Sequence, residues 1–111
     1  LLGEPMSQPG PEWKRVRLVT IVAERVLKER ILHHLDKLGV TGYTVMESEG
    51  RGSRSFVIDE WQGDNVEIQV LASHETADRI AMKMRERYFE HHSIMLFAQD
   101  VEVLRPEKYT R

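Results

Sequence analysis

The stretch Gly50-Arg51-Gly52-Ser53-Arg54 sets two guanidinium groups and a hydroxyl among two glycines. Glycine accepts positive φ without steric cost, so such a loop can turn its backbone N–H groups inward. A concavity of N–H groups flanked by Arg51 and Arg54 suits an anion, above all a phosphate, whose oxygens take charge-assisted hydrogen bonds from guanidinium groups. Just upstream, Gly42-Tyr43-Thr44-Val45 reads as a buried strand that delivers the chain to this loop. Taken alone, a loop of this composition is more often a solvated turn, with its arginines in water, than a phosphate site. A strand ending in a phosphate-type loop, in so small a chain, points to sensing a ligand more than to catalysis.

Other reactive side chains form no catalytic set. His33-His34 and His91-His92 look like metal ligands, but neighbours on a helix point about 100° apart and cannot share one ion. The first pair reads as surface histidine; one of the second pair is placed to contact a ligand or sense pH. No cysteine is present, so thiolate chemistry, zinc–thiolate sites and disulfides are excluded. Asp59, Glu60 and Asp64 lie in a polar stretch that reads as mobile backbone, whereas acid–base work needs positioned groups. Trp61 in the same stretch is either packed on its own domain or an anchor for a partner.

The elements that must position these groups follow from periodicity. The chain has 111 residues, 41% hydrophobic, with a net charge of −2, which gives one domain with no general attraction to nucleic acid or anionic membranes. No apolar run reaches the roughly 20 residues that span a bilayer, and the start lacks a signal-peptide pattern. We expect a cytoplasmic protein. Residues 1–13 read as a flexible tail, of which Leu1 to Pro5, ahead of Met6, is expected to be vector-derived; residues 14–105 form the domain and 106–111 a basic tail. Residues 16–23 predict a central strand buried on two faces. Leu27, Ile31, Leu35 and Leu38 predict a helix that Gly39 stops. Residues 40–49 and 66–72 predict two further strands. Ser73 is placed to cap a second helix with the apolar stripe Ala77, Ile80, Ala81, Met84 and Tyr88. Residues 94–104 predict the last strand.

The order β-α-β-β-α-β predicts an α+β, ferredoxin-like fold, in which two helices cover one face of a four-stranded antiparallel sheet. Hairpin loops usually hold two to five residues, yet about fifteen separate the second and third strands, so this loop reads as functional. The uncovered sheet face predicts an oligomer. The same order also builds single-strand RNA binders, which stack bases on strand aromatics; Val19, Ile21, Val66 and Ile68 stand there instead, so we expect no nucleic-acid partner.

The pairing of Gly42-Tyr43-Thr44-Val45 with Gly50-Arg51-Gly52-Ser53-Arg54, ahead of a long hairpin loop, resembles the PII-like family of trimeric signalling proteins over about residues 17–104. It looks most like the bicarbonate-linked branch, the SbtB-type regulators and carboxysome-associated PII proteins. The resemblance implies a non-enzymatic homotrimer that binds ADP or AMP, with bicarbonate, in clefts between subunits. Its long loop would be the T-loop, whose ordering regulates inorganic carbon metabolism by docking a bicarbonate transporter or a carboxysome-related protein. Carried over, Gly42, Tyr43, Thr44 and Val45 would line base and ribose, and Gly50, Arg51, Gly52, Ser53 and Arg54 the phosphates. Arg51 or Arg54 would also hold bicarbonate. Ser93, Ile94 and Met95 would come from the neighbouring subunit, and Arg105 and Lys108 would add charge. No metal or cofactor is expected beyond these ligands.

Three departures refine the expectation. No tyrosine lies in 56–65, so the uridylylation of nitrogen-control PII proteins is not expected. Glu90-His91-His92-Ser93 replaces their glycine-rich loop, which favours a mono- or diphosphate over a triphosphate. The C-terminal cysteine motif of many SbtB proteins is absent, which favours the carboxysome-associated branch. Two alternatives stay open at this point: a small phosphate-ester or acyl-phosphate hydrolase on the same fold, and a metal-binding trimer. If Arg54 holds a phosphate, Arg54→Ala weakens phosphate-bearing ligands by about 1–3 kcal/mol in a titration calorimeter; unchanged affinity removes Arg54 from the site.

Overall fold

The computed structural model describes residues 10–48 and 64–105. Gly50, Arg51, Gly52, Ser53, Arg54, Trp61 and Lys108 lie outside the described residues, so their expected roles pass to the proposal below.

The elements run β1 (Lys14–Glu24), a short 3-10 turn (Arg25–Leu27), α1 (Lys28–Lys37), β2 (Thr44–Ser48), β3 (Asn65–Ala72), α2 (His74–Tyr88) and β4 (Ile94–Val103). The sheet order is β2-β3-β1-β4, and every neighbouring pair is antiparallel, which is the ferredoxin-like arrangement. β1 is central, as its two-sided apolar pattern predicts: residues 19–23 are buried on both alternations. Val19, Ile21 and Ala23 join Ile68, Val70, Leu27, Ile31, Leu35, Ile80 and Met84 in the core beneath the helices.

Local chemistry ends the helices as the sequence predicts. Gly39 adopts φ +85°, and the Gly39 N–H donates to the Asp36 carbonyl while the Val40 N–H donates to the Leu35 carbonyl, each at 3.1 Å. That reciprocal pair is a Schellman closure, for which glycine is the low-cost residue. The Ser73 hydroxyl accepts from the Thr76 N–H at 3.2 Å and caps α2.

Three expectations are corrected. The second strand starts at Thr44, not residue 40, because Val40 is committed to closing α1 and packs on the core. Gly42 and Tyr43 therefore precede the strand, and Tyr43 is 39% exposed, so the segment 42–45 is no buried strand; β2 is an edge strand with one neighbour. Ala81 is exposed, since the buried stripe of α2 is Ala77, Ile80, Met84 and Tyr88, and Ala81 falls one position round the helix.

Ile80 is fully buried at the centre of that stripe. Ile80→Ala is expected to lower unfolding free energy by about 2–5 kcal/mol in urea titration, because the cavity cannot fully collapse in a close-packed core.

Candidate functional site

Strand alternation sorts the sheet into two chemistries. Val45, Ile68, Ile21 and Leu96 share one cross-strand row on the helix face. The next row, Thr44, Gln69, Thr20 and Phe97, must then face the open side. Beyond it Leu18 pairs with Leu71 on the same side.

A cavity of about 540 Å³ opens on this face, lined by Leu18, Thr41, Gly42, Tyr43, Thr44, Gln69 and Leu71. Leu18 and Leu71 supply an apolar wall, Tyr43 an exposed ring, and Thr44 and Gln69 hydrogen-bonding groups. The mixture suits a flat, partly polar ring system, since ligand pockets combine apolar surface with a few placed polar groups. Beside Gln69 in the register, the Thr20 hydroxyl is buried and has no hydrogen-bond partner among the described residues. A Cβ at Gly42 would meet nothing within 4 Å, so the backbone there lies open to an approaching group.

The structure thus brings together Gly42, Tyr43 and Thr44 of the sequence-predicted set. The Val45 side chain points the other way and packs against the core, so it does not line this cavity. Ser93 precedes β4 and Ile94 and Met95 begin it, on the opposite edge of the sheet from β2, and within one chain none of the three lines the cavity. Arg105 is exposed past the end of β4. Leu18, Thr41, Gln69 and Leu71 are cavity residues that the sequence reading missed; the one signal among them was an apolar pair, Leu18 and Leu71, out of phase with the core-facing residues.

Also missed is the charge cluster where the long connection leaves and re-enters the sheet. Sixteen residues, 49–64, join β2 to β3. Glu47, at one end, accepts from the Arg25 guanidinium at 3.1 Å and from the Lys28 ammonium at 2.9 Å. Asp64, at the other end, pairs with the same guanidinium, and its carbonyl accepts from the Arg25 N–H at 3.1 Å. Asp64 is therefore held, in contrast to the mobile backbone expected there. The hydrogen bond from Lys28 is the chief cause that holds the Glu47 carboxyl below its usual range, and the same bond raises Lys28. At the other end of the sheet Asp100 accepts from Arg17 at 3.1 Å and lies 2.8 Å from His74, contacts that lower its carboxyl.

Fold and site together define a ferredoxin-like α+β domain with a ligand-sized cavity on its open sheet face and a clamped long hairpin connection. A family model described as nitrogen regulatory protein P-II matches residues 16–108, and the chain belongs to that family of regulatory proteins. It is similar to a PII-like signaling protein of Thermus thermophilus, with 37% identity over 88% of this chain and 98% of that one at a TM-score of 0.74. It is similar also to CPII of Thiomonas intermedia bound to ADP, AMP and acetate, with 28% identity over 90% and 99% of the two chains at a TM-score of 0.75. Another CPII structure from that organism, bound to ADP and bicarbonate, has 25% identity over 90% and 99% at a TM-score of 0.74. No helix among the described residues is long and apolar enough to cross a membrane.

Because the folded Glu47 carboxyl is lowered, its contribution is present above the unfolded carboxylate pKa and is lost as pH falls through the lowered folded value. Wild type is expected to melt above Glu47→Gln at pH 7, with the gap closing in acid and shrinking in high salt. A gap independent of pH would show that Glu47 acts through packing rather than charge.

Proposed function

We propose that this protein is a non-enzymatic PII-like signal-transduction protein that binds ADP or AMP, together with bicarbonate, in clefts between the subunits of a cytoplasmic homotrimer. Occupancy is passed on through segment 49–63 to a partner in inorganic carbon handling, such as a bicarbonate transporter or a carboxysome-related protein. The observation that carries this reading is the cavity at Gly42, Tyr43 and Thr44, on a sheet face left open by the helices and directly upstream of the Gly50–Arg54 sequence. The ligands named with the CPII relatives support the choice of ADP, AMP and bicarbonate.

In this reading the base and ribose occupy the cavity, with Tyr43 beside the ring and Thr44 and Gln69 within reach of its polar edge. The phosphates extend toward Gly50, Arg51, Gly52, Ser53 and Arg54, where Arg51 or Arg54 also holds bicarbonate. Ser93, Ile94 and Met95 of a neighbouring subunit complete the cleft, which accounts for their place outside the cavity within one chain. A ligand shifts the loop only by its differential affinity for two loop states. Moving a population from 1:99 to 99:1 takes about 5.5 kcal/mol, which a few charge-assisted phosphate contacts at roughly 1.5–3 kcal/mol each can approach. No observation favours a phosphate-ester or acyl-phosphate hydrolase or a metal-binding trimer over this reading.

Isothermal titration with AMP, ADP and ATP, each with and without bicarbonate, tests the proposal. ADP or AMP is expected to bind more tightly with bicarbonate present. Binding indifferent to bicarbonate removes the carbon link, and silence for every nucleotide removes the proposal. Gly42→Leu, which meets open space at Cβ, is expected to keep the melting temperature and to weaken ADP at least about tenfold, by roughly 1.4 kcal/mol or more.

A further inference from the structure

The seam between α1 and α2, on the opposite side of the sheet from the cavity, carries cations that the nucleotide reading leaves unused. Arg30, His33, His34 and Lys37 recur at helical spacing on α1, and Lys83 and Arg87 stand four apart on α2. Tyr88 closes the seam: it is 3% exposed, and its ring meets that of His34 edge-on at 5.7 Å and that of His92 at 5.8 Å. The Tyr88 hydroxyl is buried without a hydrogen-bond partner among the described residues.

Among the described residues, the charges that reach this cluster have one sign. Burial is the main cause that lowers His34, and Arg87, Lys83 and His33 lower it further, with no carboxylate acting against them. Arg30 and Arg87 are the charges felt by Tyr88, whose hydroxyl is raised chiefly by burial. Among the described residues Arg30, Lys83 and Arg87 form no ion pair. By contrast Arg17, Arg25, Lys28 and Arg79 each meet a carboxylate. Gathered like charges repel one another, and an anion between them removes that repulsion while accepting their hydrogen bonds.

We infer that the α1–α2 seam is a second anion site that takes a phosphate group, held by Arg30, Lys83 and Arg87 with His34 as hydrogen-bond donor. Arginine offers a phosphate its paired donors and lysine a point charge, and His34 lies against Tyr88 between the two helices. The site lies across the core from Gly42, Tyr43 and Thr44, so it is independent of nucleotide binding there. The phosphate is either inorganic or the terminal group of a nucleotide.

The test follows the His34 imidazole by NMR across pH, in the full chain, with pyrophosphate, with ADP, and with sodium chloride at matched ionic strength. An opposite charge beside a histidine favours its protonated form, so a bound phosphate is expected to raise the His34 pKa by about one pH unit above the chloride control. That rise is expected to vanish in Lys83→Gln/Arg87→Gln, with folding of the double variant checked by its melting temperature. A rise with pyrophosphate identifies free phosphate as sufficient; a rise with ADP alone identifies a nucleotide phosphate. No rise beyond chloride in wild type, or the same rise in the double variant, overturns the inference. ADP affinity at the cavity is read separately by calorimetry, so loss of the nucleotide reading and loss of this one are distinguishable.

Discussion

Strand β1 pairs along both edges and is buried on both faces over residues 19–23, yet two helices can cover only one side of the four-stranded sheet. The helix side takes the regular core of Val19, Ile21, Ile68, Val70, Ile80 and Met84. The other side must carry whatever the alternate positions hold, and in this chain they are a mixture: Leu18 and Leu71 with Thr20, Thr44, Gln69 and Phe97. An open face that is neither fully apolar nor fully polar has room for a ligand between its edge strand and its centre. The cavity lies there because β2 is short and starts late, leaving Thr41, Gly42 and Tyr43 as a bridge along its rim.

Two local devices set the position of that rim. The Schellman closure at Gly39 consumes Val40 and directs the chain from α1 onto the sheet edge. The Arg25, Lys28, Glu47 and Asp64 cluster ties both ends of the long connection to the start of α1. Each contact in the cluster is solvent-accessible and individually weak, and Arg25 is shared by both ends of the connection. This sharing ties Glu47 near the end of β2 to Asp64 just before β3 through one guanidinium. On the helix side Arg30, Lys83 and Arg87 form no ion pair among the described residues, unlike Arg79, which meets Glu75.

Much of the fold was legible because its signals are local. The doubly buried pattern of β1, the alternation of Val66, Ile68 and Val70 in β3, the glycine stop at 39 and the serine cap at 73 each depend on a few neighbouring residues. The start of β2 was not legible, since Val40 is as apolar as a strand residue and its use in closing a helix shows only in hydrogen bonds. The exposure of Ala81 escaped for a similar reason: alanine is tolerated on either side of a helix boundary. At the site, Gly42, Tyr43 and Thr44 were singled out through family resemblance. Leu18, Gln69 and Leu71 join them only through the pairing register, which brings together residues distant in sequence. The charge cluster was invisible for the same cause, because Glu47 stands 22 residues from Arg25 and 19 from Lys28. His34 read as a surface histidine and is instead half-buried against Tyr88.

The central claim is that the open sheet face, at the rim formed by Gly42, Tyr43 and Thr44, receives an adenine nucleotide. Mapping backbone amide shifts on addition of ADP addresses it residue by residue. The account requires the largest changes at Leu18, Gly42, Tyr43, Thr44, Gln69 and Leu71, with the core row of Ile21 and Ile68 moving little. Changes confined to the helix layer, or absent from the 41–44 rim while ADP is bound, would contradict it.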